Sequence, residues 1–302
     1  LFLQGENMKN IVRGLLAALS LSLGLAVQAA DAPEHPAWAE AKAAARSGPA
    51  DIAIAGQATL HLPADRVFIP QPQAGKLLTA MGNPGEHSEL TGLIFPQGQQ
   101  QWFATLRYIA SGYVKDGDAK EWKADDLLAS YKEGTESANE ERKKMGVAPL
   151  EITGWAEQPA YEATTHRLVW AMASKEKGAP AGADQGVNYN TYALGREGYL
   201  SLNFVTDLKE LPAHKPDAKA LLGALAFDKG KRYEDFDSAT DHVAEYGLAA
   251  LVLGVGAKKL GLLAVIFAFV AKFAKVIFIA VVGGGAAFAK FFKRDKPNGP
   301  AA

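Results

Sequence analysis

"NYNTYALGREGYLSLNFVTD", residues 188–207, decides how this chain folds. Two strand-like runs flank the tetrapeptide Gly195-Arg196-Glu197-Gly198. Glycines bracketing a charged pair between such runs predict a β-hairpin with its charges exposed at the turn. The same turn supports a sharper reading. Arg196, with Glu197 beside it, could meet Trp155, Trp170 and Tyr189 in an aromatic-and-guanidinium binding patch.

Working outward, "LEITGWAEQ" (150–158) and "THRLVWAMASK" (165–175) read as further strands, and a Gly/Ala-rich loop follows the second. Upstream, "ADIAIAGQATLHLPADRVFI" (50–69) alternates apolar and polar residues around Gly56, which predicts a hairpin of two short strands. "LTGLIFP" (90–96) and "QWFATLRYIASGYV" (101–114) are rich in aromatic and β-branched residues, as strands are. Short helices are expected in the Ala-rich stretch after the Pro-rich lead at 31–36 and in "PQAGKLLTAMGN" (72–83), the latter closed by Gly82-Asn83-Pro84-Gly85.

"KADDLLASYKEGTESANEERKKMG" (123–146) is the clearest helix. Leu127, Leu128, Tyr131 and Ala138 fall near one face. Acids lead, Arg142-Lys143-Lys144 trail, and Gly146 closes it, a charge order that suits the helix dipole. "PDAKALLGALAFDKGKRYEDF" (216–236) adds one more helix and a polar exit. With no internal repeat and no long linker, residues 30–237 are expected to form one α+β domain: a mostly antiparallel sheet with flanking helices.

The totals exclude several classes. Lys+Arg number 32 against 33 Asp+Glu over 302 residues, so no nucleic-acid partner is implied. There is no cysteine, which removes disulfides, thiolate zinc sites and thiol nucleophiles together.

"GWAEQPAYEATTHRLVWAM", "NYNTYALGREGYLSLNFVTD", "GKRYEDF" and "SYKEGTESANEERKKMG" together resemble the bacterial DUF2167 family of membrane-anchored proteins. The similarity covers nearly the whole chain after residue 30 and implies no catalytic residue. More loosely, the element order resembles Mog1/PsbP-like domains, antiparallel sheets flanked by helices that serve mostly in binding or assembly.

Chemical motifs are sparse. The histidines, His35, His61, His87, His166, His214 and His242, form no metal-binding spacing, so no metal or other cofactor is expected. Asp116, Asp118 and Glu121 lie close together in "DGDAKEW" but lack the ligand and glycine positions of a calcium loop, which leaves a solvated turn. No Gly-x-Ser-x-Gly elbow occurs. A hydrolase-like site would have to be assembled from scattered residues such as His166, Arg196 and Glu197.

Both ends suggest a membrane. Residues 1–7 are expected to be a tag remnant or a mis-assigned start. From Met8, a basic lead, a 13-residue apolar run and Val27-Gln28-Ala29 read as a signal peptide over 8–29. Near the other end, an interfacial amphipathic helix is expected over 238–259, starting at Ser238-x-x-Asp241, then a transmembrane segment over 260–289 and a basic cytoplasmic tail over 290–302. The span contains Lys272 and Lys275. Two central lysines cost about 5–7 kcal/mol, while its sixteen Leu, Ile, Val and Phe residues return about 5–10. On one continuous helix Lys258, Lys272 and Lys290 lie within about 40° of each other, with Lys275 about 60° further round. That stripe can snorkel, meet lipid headgroups or line a seam. The expected protein is therefore a non-enzymatic protein of the bacterial inner membrane, with a periplasmic binding or scaffolding domain and a cytoplasmic C-terminus. Its partners would be membrane lipid and either a cell-envelope protein or its own copies through the tail. An oligomeric pore built from the tail is a further alternative.

Overall fold

The computed structural model describes residues 35–253 apart from 82, 84–86, 99, 121 and 145–147. The start residues 1–7, the expected leader at 8–29, the span at 260–289, the tail at 290–302 and the stripe lysines Lys258, Lys272, Lys275 and Lys290 lie outside the described residues. So does Gly146.

The hairpin forms as the glycines predict. Gly186–Leu194 (β9) and Tyr199–Asp207 (β10) pair antiparallel from Leu194↔Tyr199 to Gly186↔Asp207, and the Gly195 N–H closes the turn on the Gly198 carbonyl at 2.8 Å. Both glycines are required by close approach. A Cβ on Gly195 would sit 2.4 Å from the Phe227 ring, and one on Gly198 would sit 2.0 Å from the Ile109 carbonyl oxygen.

Before this hairpin the chain runs Pro36–Ala44 (α1), Arg46–Ser47 (β1), Ala50–Ile54 (β2), Ala58–Leu62 (β3), Arg66–Pro70 (β4), Gln73–Ala80 (α2), Leu90–Pro96 (β5) and Phe103–Ile109 (β6). A 3-10 turn at Gly117–Lys120, the helix Ala124–Lys144 (α3) and the long strands Leu150–Glu162 (β7) and Arg167–Glu176 (β8) complete it. After β10 come Leu211–Gly223 (α4), Leu225–Phe227 (β11), a second 3-10 turn at Tyr233–Asp235 and the short helix Leu248–Val252 (α5). Eight strands make one antiparallel sheet in the order β1-β4-β5-β6-β10-β9-β8-β7, and β11-β3-β2 make a second. α3 carries the chain from β6 to the far edge, and the meander β7-β8-β9-β10 brings it back to β6.

Strand alternation sorts side chains onto two faces. One face sends Ala104, Leu106, Ala171, Tyr189, Leu202 and Phe204 against the small sheet and α4. The opposite face carries two separate apolar clusters. Leu93, Phe95, Phe103 and Val205 pack with Leu77 and Leu78 of α2. Leu168, Trp170, Met172, Tyr192 and Tyr199 pack with Leu127 and Tyr131 of α3 and with Leu248, Leu251 and Val252 of α5. Burying aromatic and aliphatic side chains of this size contributes about 1.5–3 kcal/mol each.

The α+β expectation holds, with three differences in detail. α4 starts at Leu211, and Pro216, expected to lead the helix, lies inside it. β11 is only three residues long, too short for an alternation to be read. The inner face of α3 turns polar after Tyr131: Thr135, Asn139 and Arg142 are buried. Asn139 ties the helix to β7 twice, its Nδ2 donating to the Leu150 carbonyl at 2.9 Å and its Oδ1 accepting the Leu150 N–H at 2.8 Å. Arg142 Nε donates to the Ala148 carbonyl at 2.9 Å, and burial pulls its pKa down to about 10.

The interfacial helix expected from Ser238 is not formed there. Residues 238–247 are irregular and hydrogen-bond to the sheet, and helix begins only at Leu248. The domain boundary expected at residue 237 therefore falls inside the fold. Among the described residues, no helix is long and apolar enough to cross a membrane.

Candidate functional site

The turn at Arg196 and Glu197 is occupied from within the chain. Arg196 grips Asp241 at two points, Nε to Oδ2 at 2.6 Å and Nη2 to Oδ1 at 2.8 Å, and reaches the Gly230 carbonyl at 3.3 Å. That guanidinium, together with the Asp237 N–H, holds the Asp241 carboxyl well below the usual carboxylate range. Glu197 accepts Lys231 Nζ at 2.9 Å on each oxygen and Gln57 Nε2 at 3.0 Å. Residues 228–247 thus form a strap clasped to the hairpin.

The expected binding patch is not assembled. Trp170 and Tyr189, each 1% exposed, are buried on opposite faces of the sheet. Trp155 lies against α3, donating its Nε1 to the Ala124 carbonyl at 3.0 Å and meeting Tyr131 edge-on. The physical reason is the period of two: Trp170 and Tyr189 sit at positions of opposite parity on neighbouring strands, so they cannot share a surface.

His166 is not in a strand but in the β7–β8 turn, at φ 51°. Its Nδ1 lies 3.0 Å from Tyr161 Oη, which donates to Asp116 Oδ2 at 2.8 Å. The imidazole stacks on Tyr233 at 4.1 Å, Tyr233 on Tyr113 at 4.4 Å, and Tyr113 on Phe236 at 3.9 Å. Burial pushes the Tyr161 and Tyr233 phenols far above the usual tyrosine value. His166, Arg196 and Glu197 therefore each serve a different set of partners.

The strap continues along Tyr113, whose N–H donates to the His242 carbonyl at 2.8 Å and whose carbonyl accepts the Ala244 N–H at 2.8 Å. The strap ends at α5, where Asp118 accepts the Leu248 and Ala249 N–H groups at 3.0 Å each. The 116–122 loop, expected to be a solvated turn, thus spends Asp116 and Asp118 on protein partners. Among the described residues, no three His, Cys, Asp or Glu side chains are placed to hold a metal.

A different site lies between the two apolar clusters of the helix-bearing face. There a diagonal of polar side chains crosses the sheet: Arg107 and Thr105 on β6, Ser201 and Asn203 on β10, Asn190 and Asn188 on β9. The register places Arg107 beside Ser201, Thr105 beside Asn203, and Asn203 beside Asn190. Arg107 is 9% exposed, and among the described residues its guanidinium has no hydrogen-bond or ion-pair partner. Burial pulls its pKa down, with Glu89 and Tyr192 partly restoring it. Glu89, just before β5, has a buried Oε2 without a partner, and burial raises its pKa against the pull of Arg107. Asn203 donates to Asn188 Oδ1 at 3.2 Å but leaves its own Oδ1 buried and unpaired. Tyr192 and Tyr199 wall one side, and Tyr246 of the strap interacts with both. Leaving a buried polar group unpaired costs about 1–3 kcal/mol, which makes Asn203 Oδ1 and Glu89 Oε2 the costly atoms of this diagonal and its flank.

Residues 46–283 match the family described as "Protein of unknown function (DUF2167)". The chain belongs to the DUF2167 family. No curated protein matches it. Among solved structures it is similar to the solution structure of cyanobacterial PsbP (CyanoP) from Synechocystis sp. PCC 6803, at 6% identity and a TM-score of 0.35, covering 61% of this chain and 91% of that one.

In this DUF2167 protein the polar diagonal was the feature that sequence reasoning passed over. Its signal is present in residues 188–207: asparagine is depleted in strands, yet Asn188, Asn190 and Asn203 all occupy strand positions. Arg107 gave less warning, because an arginine in an aromatic strand looks the same in sequence whether it is exposed or buried.

Proposed function

We propose that this DUF2167 chain is a binding or assembly protein tethered to the bacterial inner membrane, with its folded region in the periplasm and its basic C-terminus in the cytoplasm. The leader at 8–29 would export it, and the segment 260–289 would cross once. The lysine stripe, Lys258, Lys272, Lys275 and Lys290, would then meet anionic headgroups or a partner helix. One observation carries the reading: the strap and α5 are fastened to the fold by Arg196–Asp241 and by the Asp118 cap, at the start of the apolar, lysine-interrupted sequence that begins at Tyr246. A domain fixed to the root of a tether suits presentation of a binding surface at a set height above a membrane. Catalysis is disfavoured because His166, Arg196 and Glu197 are each engaged elsewhere.

Reporter fusions test the topology. A reporter inserted near Gly182, in the β8–β9 loop, is expected to be active only in the periplasm, and one after Ala302 only in the cytoplasm. Both on the same side would overturn the single crossing.

A further inference from the structure

The edge strands of the two sheets are β1, β7, β11 and β2, and all but the last are closed to further pairing. β1 is two residues long and β11 three. β7 is longer, but its register slips between Ile152 and Gly154, Trp155 and Glu157, and Glu157 and Ala160. It also contains Pro159, and Asn139 takes both the N–H and the carbonyl of Leu150. Short edges, bulges and proline are the devices that keep a sheet from joining another. β2 has none of them. Its five residues, Ala50–Ile54, pair with β3 in unbroken register and include no proline or lysine.

The hydrogen bonds of the small sheet show which groups β2 turns outward. On the β11 side, the His61 N–H donates to the Ala224 carbonyl at 2.9 Å and the Asp228 N–H to the Gln57 carbonyl at 3.0 Å. Backbone groups alternate sides along an antiparallel strand, so Thr59 also bonds toward β11, and Ala58, Leu60 and Leu62 bond toward β2. Their register partners are Ile54, Ile52 and Ala50. Asp51 and Ala53 are left with N–H and carbonyl groups directed away from the sheet. Both residues are exposed, and among the described residues nothing bonds to those backbone groups.

This edge is complementary to itself. When two copies lie antiparallel about a two-fold axis at Ile52, Asp51 of each faces Ala53 of the other, and every outward N–H meets an outward carbonyl. On the inner side Ile52 meets Ile52 and Ala50 meets Ile54, which extends the apolar face that packs on the large sheet. Each Asp51 keeps its own His61 at 2.7 Å. Sliding one way would set Asp51 against Asp51, which opposes two carboxylates. Sliding the other way would bring in Ala55, whose φ of 52° is not extended. We propose that a second copy of this chain docks at β2 in the Asp51-to-Ala53 register, making one sheet in the order β11-β3-β2-β2-β3-β11. The joint is small beside a standard interface, so the dimer is a weak one. It goes beyond the tether and does not depend on it.

The test uses the full chain in detergent, where the absence of native cysteine lets single cysteines report the register. Asp51→Cys and Ala53→Cys chains, both altered at exposed positions, are mixed and mildly oxidised. The mixture is expected to give disulfide-linked dimer several-fold more than either variant alone, because facing residues of such a pair stand about 5.5 Å apart at Cα. Ala53→Pro removes an N–H that β3 does not use, so the hairpin should keep its thermal midpoint. The association constant from sedimentation over a concentration series should fall at least about tenfold, since half of the cross-copy hydrogen bonds are lost. Equal cross-linking of the mixture and the single variants would overturn the proposal. So would a parent that sediments as a monomer at every concentration, or a dimer that Ala53→Pro leaves intact, which would place self-association elsewhere in the chain.

Discussion

Asp118 Oδ1 accepts the backbone N–H of Leu248 at 3.0 Å, across 130 residues of chain. The other oxygen takes the next N–H, of Ala249, so one carboxylate satisfies two of the donors that a helix start leaves open. The approach is close: a Cβ on Gly247 would lie 2.6 Å from Asp118 Oδ2. A loop after β6 therefore sets where the C-terminal segment leaves the sheet.

Replacing Asp118 with alanine should cost about 1 kcal/mol, the usual worth of a lost cap, and Asp118→Asn, which keeps one of the two accepting oxygens, should restore only part of it. The thermal midpoint measures the first effect. Hydrogen exchange at Leu248 and Ala249 localises it. Equal midpoints for the parent and the alanine variant would show that the cap does not hold α5.

The folded region runs on past residue 237 and includes α5. Leu248, Leu251 and Val252 are 0–2% exposed within the cluster of Trp170 and Tyr192. A chain stopped after Asp237 should lose cooperative unfolding or aggregate, whereas one stopped after Leu253 should unfold cooperatively without detergent. Identical behaviour of the two would mean that the strap adds nothing to the core.

These two predictions mark what was legible in the sequence. The hairpin at Gly195–Gly198 and the helix over 124–144 were readable because local chemistry decides them: paired glycines at a turn, and ordered charges along an amphipathic run. The strap was not. Ser238-x-x-Asp241 has the form of a capping motif, but Asp241 is drawn to Arg196, 45 residues earlier, and a tertiary ion pair overrides the local preference. The binding patch failed for a similar reason. Counting aromatic residues says nothing about strand parity, and parity buried Trp170 and Tyr189 on opposite faces. The polar diagonal spans three strands, so the meetings of Arg107 with Ser201 and of Thr105 with Asn203 are a property of register and cannot be read from either strand alone.

The Arg196–Asp241 clasp should govern access to the strap. Arg196→Ala is expected to speed proteolytic cleavage within 228–247 several-fold, while leaving cleavage in the 177–185 loop unchanged. Because Asp241 is held below its ordinary value of 3.8, the clasp is present above that pH and is lost as pH falls further. Uniform acceleration at both loops would indicate global destabilisation instead.

Glu89 has the reverse sign. Burial raises its folded-state pKa above the ordinary 4.5, so the folded protein holds this proton more tightly than the unfolded chain does. Its contribution is most favourable below 4.5 and falls as pH rises through the folded-state value. Glu89→Gln should therefore be more stable than the parent at about pH 7, with the difference vanishing at about pH 4. Denaturant midpoints at the two pH values measure it. A variant less stable than the parent at neutral pH would mean that Glu89 is satisfied in the fold.

The tether itself is tested most directly by alkaline carbonate extraction of membranes carrying either the full chain or a chain stopped after Leu253. The full chain is expected to stay with the membrane pellet. The shortened chain should appear in the soluble periplasmic fraction, still folded by its thermal transition. A full chain released by carbonate, or a shortened chain that remains in the pellet, would contradict the account.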